Sequence, residues 1–144
     1  MLIRIAKEKD IQAISETYIE LLQYEQKHGT RSNWKLNVYP TEKVSAEKVP
    51  LGEMFVLEDE GNIYGSMVLN QNQADEYSYV DWNYKSAPDQ VLVIHTLCIP
   101  PKYAGYGYGT KMVNFAKDYA KKRNLKVIRI DTWANNQPAQ KLYL

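Results

Sequence analysis

Cysteine, net charge and long apolar runs are all scarce in this 144-residue chain. The single cysteine, Cys98, excludes an internal disulfide and a cysteine-rich metal site, and no metal is expected. Eighteen Lys and Arg against seventeen Asp and Glu give a net charge of +1, which offers no broad surface for nucleic acid or a membrane. The sequence also lacks a signal peptide's apolar core and any run of membrane-spanning length, so a cytoplasmic protein is expected.

The length predicts a single domain over residues 1–144. Hydrophobic periodicity predicts strands at Leu2 to Ala6, Met54 to Glu58, Ile63 to Leu69, Val91 to Ile99 and Lys126 to Trp133. It predicts helices from Asp10 to His28, weakly within Thr41 to Val49, after Gly109, and in a last segment that Asn135 to Pro138 would cap and that runs through Leu142. A hairpin followed by a βαβ crossover indicates an α+β (mixed α/β) fold with a central mixed sheet of about five strands flanked by helices.

The stretch from Ile94 to Met112 joins the most apolar predicted strand to a helix through a glycine-rich loop. Pro100 and Pro101 end the strand, and glycines at positions 105, 107 and 109 lead into a segment with helical periodicity. Glycines allow the backbone to approach a ligand closely, and the N–H groups and dipole of a helix start attract anions. The sequence therefore predicts a local cradle for a phosphate or pyrophosphate.

Two common phosphate-binding motifs do not match this loop. A P-loop requires Gly-Lys-Ser/Thr, whereas Gly109 is followed by Thr110 and then Lys111. A dinucleotide fingerprint requires G-x-G-x-x-G, but counting from Gly105 or Gly107 places Thr110 or Met112 at its last position. Only one predicted strand follows the loop, which is also too few for a doubly wound sheet.

A third motif does match. The sequence Ala104-Gly105-Tyr106-Gly107-Tyr108-Gly109 resembles the acyl-CoA motif of the GCN5-related N-acetyltransferase (GNAT) family, in which Arg or Gln is followed by x-x-Gly-x-Gly/Ala at a helix start. Ala104 stands at the Arg or Gln position, although backbone amides rather than that side chain would hold the pyrophosphate. Asn136 to Tyr143 resembles the family's Asn-x-x-Ala-x-x-Leu-Tyr segment, and His95-Thr96-Leu97 is similar to a His-x-Leu of many bacterial members. The resemblance implies transfer of an acetyl group from acetyl-CoA to a primary amine by direct attack in a ternary complex.

The resemblance also implies roles for individual residues. Strands four and five would separate after Leu97 to Ile99, and the backbone N–H of Cys98 would bind the thioester carbonyl. Tyr143 would protonate the departing thiolate. The residues implied in acetyl-CoA binding are Leu97, Cys98, Ile99, Ala104, Gly105, Tyr106, Gly107, Tyr108, Gly109, Thr110 and Asn136.

His95 is the candidate base, because imidazole titrates near neutral pH and the attacking amine must lose a proton. Strand alternation predicts that His95 and Leu97 share one sheet face. A structural role for His95 stays open, and Glu53, Glu76 and Asp81 are alternative bases. A nucleophilic role for the Cys98 thiol lacks the Cys-His-Asn spacing and is rejected.

Two further expectations concern the partners of the chain. We expect the segments Thr30 to Pro50 and Asn70 to Gln90 to line the acceptor side of the site, but they carry no motif, so the sequence does not specify the acceptor amine. The alternative function is a CoA-binding or interaction module without catalysis. GNAT proteins usually continue past Leu-Tyr into one or two further strands that this sequence lacks. Strand five is therefore expected to have an open edge, so that either a second copy pairs there to give a homodimer or the last helix frays and carries Tyr143 with it.

Overall fold

The computed structural model describes residues 1–29, 34–37, 39–71 and 90–130, and the backbone alone of residues 140–143. The described strands form one mixed sheet in the order β1-β2-β3-β4-β5-β6. Its strands are β1 (Leu2–Ile5), β2 (Met54–Asp59), β3 (Asn62–Asn70), β4 (Val91–Cys98), β5 (Val127–Ile130) and β6 (Gln140–Tyr143), and its helices are α1 (Ile11–His28), α2 (Glu42–Lys48) and α3 (Tyr108–Lys122). Described neighbours pair antiparallel apart from the parallel pair β4 and β5. The predicted α+β fold is confirmed.

The β2–β3 hairpin closes through a two-residue turn. Glu60 and Gly61 have φ angles of +51° and +83°, and Asp59 pairs with Asn62 on either side of them. Positive φ at both central residues matches the right-handed twist of the two strands. The predicted hairpin is therefore confirmed, and so are the predicted helices over α1 and α2.

Helices cover both faces of the sheet. On one face, α3 buries Met112, Ala116 and Ala120 against apolar side chains of β2 to β5. On the other face, α1 packs Ile14 and Tyr18 into a second apolar cluster with side chains of β2, β3 and β4. The first four residues of β4, Val91–Ile94, are all fully buried, as predicted for the centre of the sheet.

Arg4 ties the first strand to the start of α1. Its guanidinium donates to both carboxylate oxygens of Asp10, at 2.7 and 3.0 Å, and to Glu58 Oε1 at 2.9 Å. Asp10 Oδ2 also accepts the N–H of Lys7 at 2.8 Å. Hydrogen bonding from Arg4 is the main reason that the pKa of Asp10 lies below its usual value.

A β-bulge interrupts β4 at the point where the site residues begin. Val68 pairs with His95 and Ser66 pairs with Cys98, so Thr96 and Leu97 together face the single β3 residue between them. Thr96 has a φ of +50°. The extra residue shifts the alternation, and the prediction that His95 and Leu97 share a face is wrong: His95 lies on the α1 face with Val68, whereas Leu97 packs into the α3 cluster.

The end of the chain also differs from the prediction. Residues Gln140–Tyr143 form a strand antiparallel to β5, so the predicted helical segment through Leu142 is wrong there, and the sheet gains a sixth strand. A short helix with few packing partners is marginal, whereas β6 satisfies the backbone groups along the outer edge of β5. The predicted open edge of strand five is therefore also wrong, and with it the reason for expecting a homodimer through that edge. Residues 131–139 lie outside the described part.

Candidate active site

The glycine loop turns sharply and leads directly into α3. Gly105 and Gly107 have φ angles of +85° and +79°, a left-handed conformation that favours glycine. An added Cβ at either position, or at Gly109, would meet no atom within 4 Å, so the space outside the loop is open to a ligand. The first helical hydrogen bond runs from Lys111 N–H to Gly107 O at 3.0 Å, so the amides before Lys111 have no intrahelical carbonyl to bind.

The attraction of this cradle for anions comes from its backbone. The segment from Ala104 to Thr110 contains no charged residue, although Lys102 and Lys111 flank it, so within the segment the positive potential comes from amide groups and the dipole of the 15-residue α3. Ala104 N–H donates to Pro101 O at 3.0 Å, within the turn that precedes the cradle. The amide of Ala104 is therefore engaged within that turn.

Tyrosines support the loop from the side of the sheet. The ring centroid of Tyr64 lies 4.3 Å from that of Tyr103 and 5.5 Å from that of Tyr108. Tyr64 is the extra residue of a bulge in β3, which turns its side chain towards the α3 face. On the outer side, Tyr106 stacks on Tyr108 at 5.6 Å and is 68% exposed. The loop is thus held by ring packing rather than by charge.

Gly65 sets the distance between β3 and both ends of the cradle. A Cβ on Gly65 would lie 2.5 Å from Ile99 Cδ1, 3.0 Å from Met112 Sδ and 3.2 Å from the carbonyl oxygen of Cys98. The absence of a side chain therefore lets the end of β4 and the first turns of α3 approach the sheet closely. Sequence reasoning did not single out Gly65, although an isolated glycine inside a strand pattern is a known signal of close backbone approach.

The three residues predicted at the strand opening point to different sides. Leu97 and Ile99 pack against the α3 cluster, and Cys98 is buried on the α1 side. Cys98 Sγ lies 3.8 Å from the carbonyl oxygen of Thr17, and burial raises the pKa of the thiol to about 12. A buried thiol of this kind is suited to packing rather than to nucleophilic attack.

A series of hydrogen-bonded polar side chains on the α1 face holds His95. Its Nε2 lies 2.8 Å from Asn70 Oδ1, and Asn70 Nδ2 donates to Glu53 Oε1 at 2.9 Å. Lys48 Nζ lies 3.8 Å from the same carboxylate oxygen. Because Asn70 donates its amide to a carboxylate, its oxygen faces the ring, so His95 Nε2 carries a hydrogen and a neutral ring has its lone pair on Nδ1. Asn70 has no motif that the sequence could have revealed.

A turn from the predicted acceptor side contacts the bulge. Lys35 and Tyr39 exchange two backbone hydrogen bonds of 2.9 Å, and Asn37 between them has a φ of +62°. The turn carries Tyr39 Oη to 2.5 Å from Thr96 Oγ1. The acceptor-side segment and the bulge of β4 are therefore connected directly.

Of the other predicted residues, the structure describes only the backbone of Tyr143. The backbone of Tyr143 pairs with Val127, which lies opposite Val91 at the start of β4. His95 is four residues further along β4, about 13 Å at the usual strand rise of about 3.3 Å per residue. Asn136, Glu76 and Asp81 lie outside the described residues. The predicted separation of strands four and five cannot be followed past the Ile94–Ile130 pair, where β5 ends.

Two further observations concern the described residues. In that part of the chain, no group of three or more His, Cys, Asp or Glu is arranged to hold a metal ion. The described helices likewise include none that is long and apolar enough to span a membrane.

Comparison with known proteins identifies the family. The model of the acetyltransferase (GNAT) family matches residues 6–144. The chain belongs to this family. A Staphylococcus aureus Mu50 protein described as a candidate acetyltransferase has 29% identical residues and a TM-score of 0.73, over 93% of this chain and 81% of that one. A Salmonella typhimurium protein, solved with acetyl-CoA as its cofactor, has 21% identity and a TM-score of 0.63, over 94% and 72% of the two chains.

A curated GNAT relative matches a shorter stretch. An uncharacterised N-acetyltransferase of Methanocaldococcus jannaschii is 30% identical over 63 residues, which are 44% of this chain and 28% of that protein. The matched stretch thus spans less than a third of the relative. The sequence-based identification of the GNAT family is confirmed by the family model, and the fold by the solved structures.

Proposed function

We propose that this GNAT protein transfers an acetyl group from acetyl-CoA to a primary amine. The observation that carries the proposal is the cradle at the start of α3, where Gly105 and Gly107 adopt left-handed conformations beside open space. Acetyl-CoA supplies an activated thioester and a pyrophosphate. The cradle suits a pyrophosphate, because a Cβ added at Gly105, Gly107 or Gly109 would meet no atom within 4 Å and the first amides of α3 have no intrahelical acceptor.

The bulge of β4 is the candidate place for the reacting carbonyl. It follows directly on the predicted base and precedes the glycine loop by a few residues. A backbone N–H from Leu97 or Cys98 aimed at the carbonyl oxygen would stabilise negative charge as the amine attacks. Leu97 and Ile99 would line the apolar part of the donor's arm.

His95 is the proposed base for the acceptor. It takes a proton from the ammonium group, so that the free amine forms the new C–N bond while the C–S bond of the thioester breaks. The contact of His95 Nε2 with Asn70 Oδ1, at 2.8 Å, supports this proposal because it orients the imidazole ring. Glu53 accepts a hydrogen bond from Asn70 at 2.9 Å, and its proposed role is to position Asn70 against His95.

Tyr143 is proposed to return a proton to the departing thiolate, on the strength of its place in the Asn-x-x-Ala-x-x-Leu-Tyr motif. A phenol has an ordinary pKa of about 10, which suits proton donation to a thiolate. The backbone of Tyr143 on β6 is level with Val91 at the start of β4, so the motif alone supports this role.

One assay separates an enzyme from a binding module. Purified protein is incubated with acetyl-CoA and a panel of amines that includes amino acids, polyamines and peptides, and free thiol is measured over time. Thiol release that requires a particular amine supports the proposal. Saturable acetyl-CoA binding with no amine-dependent release across the panel supports the module instead.

The cradle has its own test. Gly107→Val places a β-branched side chain where φ is +79° and where the pyrophosphate would lie, so calorimetric binding of acetyl-CoA should be lost. Gly61→Val is the matched control, because Gly61 has a similar φ of +83° in a turn of the hairpin. Binding by Gly107→Val at the affinity of the parent would remove the loop from the proposal.

A further inference from the structure

We infer that Tyr39 is a positioning residue that holds the β4 bulge in its reactive shape through a hydrogen bond to Thr96. The inference rests on the proposed function, because it concerns the place where the thioester carbonyl would bind. It goes further in assigning a role to a residue of the acceptor-side turn. The backbone conformation of Thr96 is the observation behind this role.

Thr96 has an unusual backbone conformation. Its φ of +50° lies in the left-handed region, which β-branched residues rarely adopt, and its side chain is 3% exposed. Such a conformation persists only when surrounding contacts enforce it. In this protein the bulge imposes the left-handed conformation on Thr96, because Thr96 and Leu97 together lie opposite a single residue of β3.

The enforcing contact comes from outside the sheet. Tyr39 Oη lies 2.5 Å from Thr96 Oγ1, a short O–H···O hydrogen bond between residues 57 positions apart. Tyr39 is itself fixed by two backbone hydrogen bonds to Lys35 and by an edge contact with Trp34 at 6.3 Å between ring centroids. The hydrogen-bonded turn thus contacts the residue of the bulge that has the left-handed backbone conformation.

The consequence concerns the amides on either side of Thr96. The orientation of the peptide groups from His95 to Cys98 depends on the dihedral angles of Thr96, and these groups include the candidate donors to the thioester oxygen. His95 adjoins the same residue. Loss of the tether would let Thr96 relax, turn these amides and shift His95, without touching the pyrophosphate cradle some residues away.

The test removes only hydroxyl groups. Tyr39→Phe and Thr96→Val should each lower kcat for acetyl transfer by about tenfold, as expected for a small misplacement at the reacting centre, with calorimetric affinity for acetyl-CoA unchanged. The double variant should lose no more kcat than the less active of the two single variants, because both remove the same hydrogen bond. Thr96→Ser, which keeps the hydroxyl, should retain activity. Tyr24→Phe, an exposed tyrosine of α1, is the matched control and should behave as the parent.

A second measurement does not depend on catalysis. In ligand-free protein, the amide resonances of residues 95–98 should shift in Tyr39→Phe, while those of α3 stay in place. Unchanged resonances, or single losses of kcat that multiply in the double variant, would overturn the inference. If Tyr39→Phe shows this shift but the parent transfers acetyl to no amine, the result counts against the proposed function and not against the role of Tyr39 in holding the bulge.

Discussion

Gly65 offers the sharpest test of how the sheet positions the cradle. Replacing it with alanine adds one methyl group between β3, the end of β4 and the first turns of α3. The new carbon would lie 2.5 Å from Ile99 Cδ1, a distance that atoms in proteins do not tolerate, and 3.0 Å from Met112 Sδ. At 3.2 Å it would also crowd the backbone oxygen of Cys98, which cannot rotate away as a side chain can.

The size of the effect follows from these contacts. Overpacking by one methyl group in a packed interior costs about 1–3 kcal/mol, and Gly65→Ala should lower the free energy of unfolding by that amount. Ile99→Val removes the Cδ1 atom that collides first, at a cost of about 1 kcal/mol on its own. The double variant should therefore be less destabilised than the sum of the two singles, with a coupling of at least about 0.5 kcal/mol.

Urea denaturation gives these free energies, and calorimetry with acetyl-CoA measures the effect on the cradle. Gly109→Ala is the stability control, because a Cβ there meets no atom within 4 Å and alanine favours a helix by up to about 1 kcal/mol over glycine. We expect Gly65→Ala to weaken acetyl-CoA binding as β4 and α3 move apart. Additive effects of Gly65→Ala and Ile99→Val, or an undiminished stability of Gly65→Ala, would refute the contact geometry.

Three further predictions concern single side chains. Asp10→Asn should cost about 2 kcal/mol at neutral pH, the usual size for hydrogen bonds to a charged group, measured by denaturation. Because Arg4 lowers the pKa of Asp10, the difference in unfolding free energy between parent and Asp10→Asn should be constant above the ordinary carboxyl pKa. It should shrink as the pH falls through the lowered pKa of Asp10 in the folded protein. A difference in unfolding free energy that persists in strong acid would contradict this prediction. Cys98 should react with a thiol reagent only after unfolding, since burial raises its pKa to about 12, and rapid labelling of the native protein would show that it is accessible. Tyr143→Phe should lower turnover with acetyl-CoA affinity nearly intact, and equal turnover would leave Tyr143 without a catalytic role.

Sequence patterns predicted the regular parts of this fold because those parts are governed by local chemistry. The apolar spacing of α1, the turn at Glu60 and Gly61, and the glycines before α3 each follow from rules that act within a few residues. The bulge at Thr96 follows from no such rule. It depends on how β3 and β4 pair, and a single extra residue was enough to move Leu97 to the other face from His95.

The candidate site was predictable only where a motif carried it. The cradle was found from its glycine spacing, and His95 from its place before the loop. Asn70 and Tyr39 were missed because each acts through a partner 25 or 57 residues away, a relation that one sequence does not display. The final strand was missed because the four residues Gln140–Tyr143 are set by the free edge of β5 rather than by their own preference.

The strand order of the sheet has a consequence for synthesis on the ribosome. Each described strand pairs with the one that precedes it in the chain, so the sheet can lengthen at one edge as the polypeptide emerges. The antiparallel segment β1 to β3 can assemble first, whereas β5 must wait for α3 to cross over before it meets β4. We expect nascent chains arrested after β3 to resist protease within β1 to β3, and the glycine cradle to form only once α3 has left the exit tunnel. Protease resistance that appeared only in the full-length chain would show that the sheet forms in one step instead.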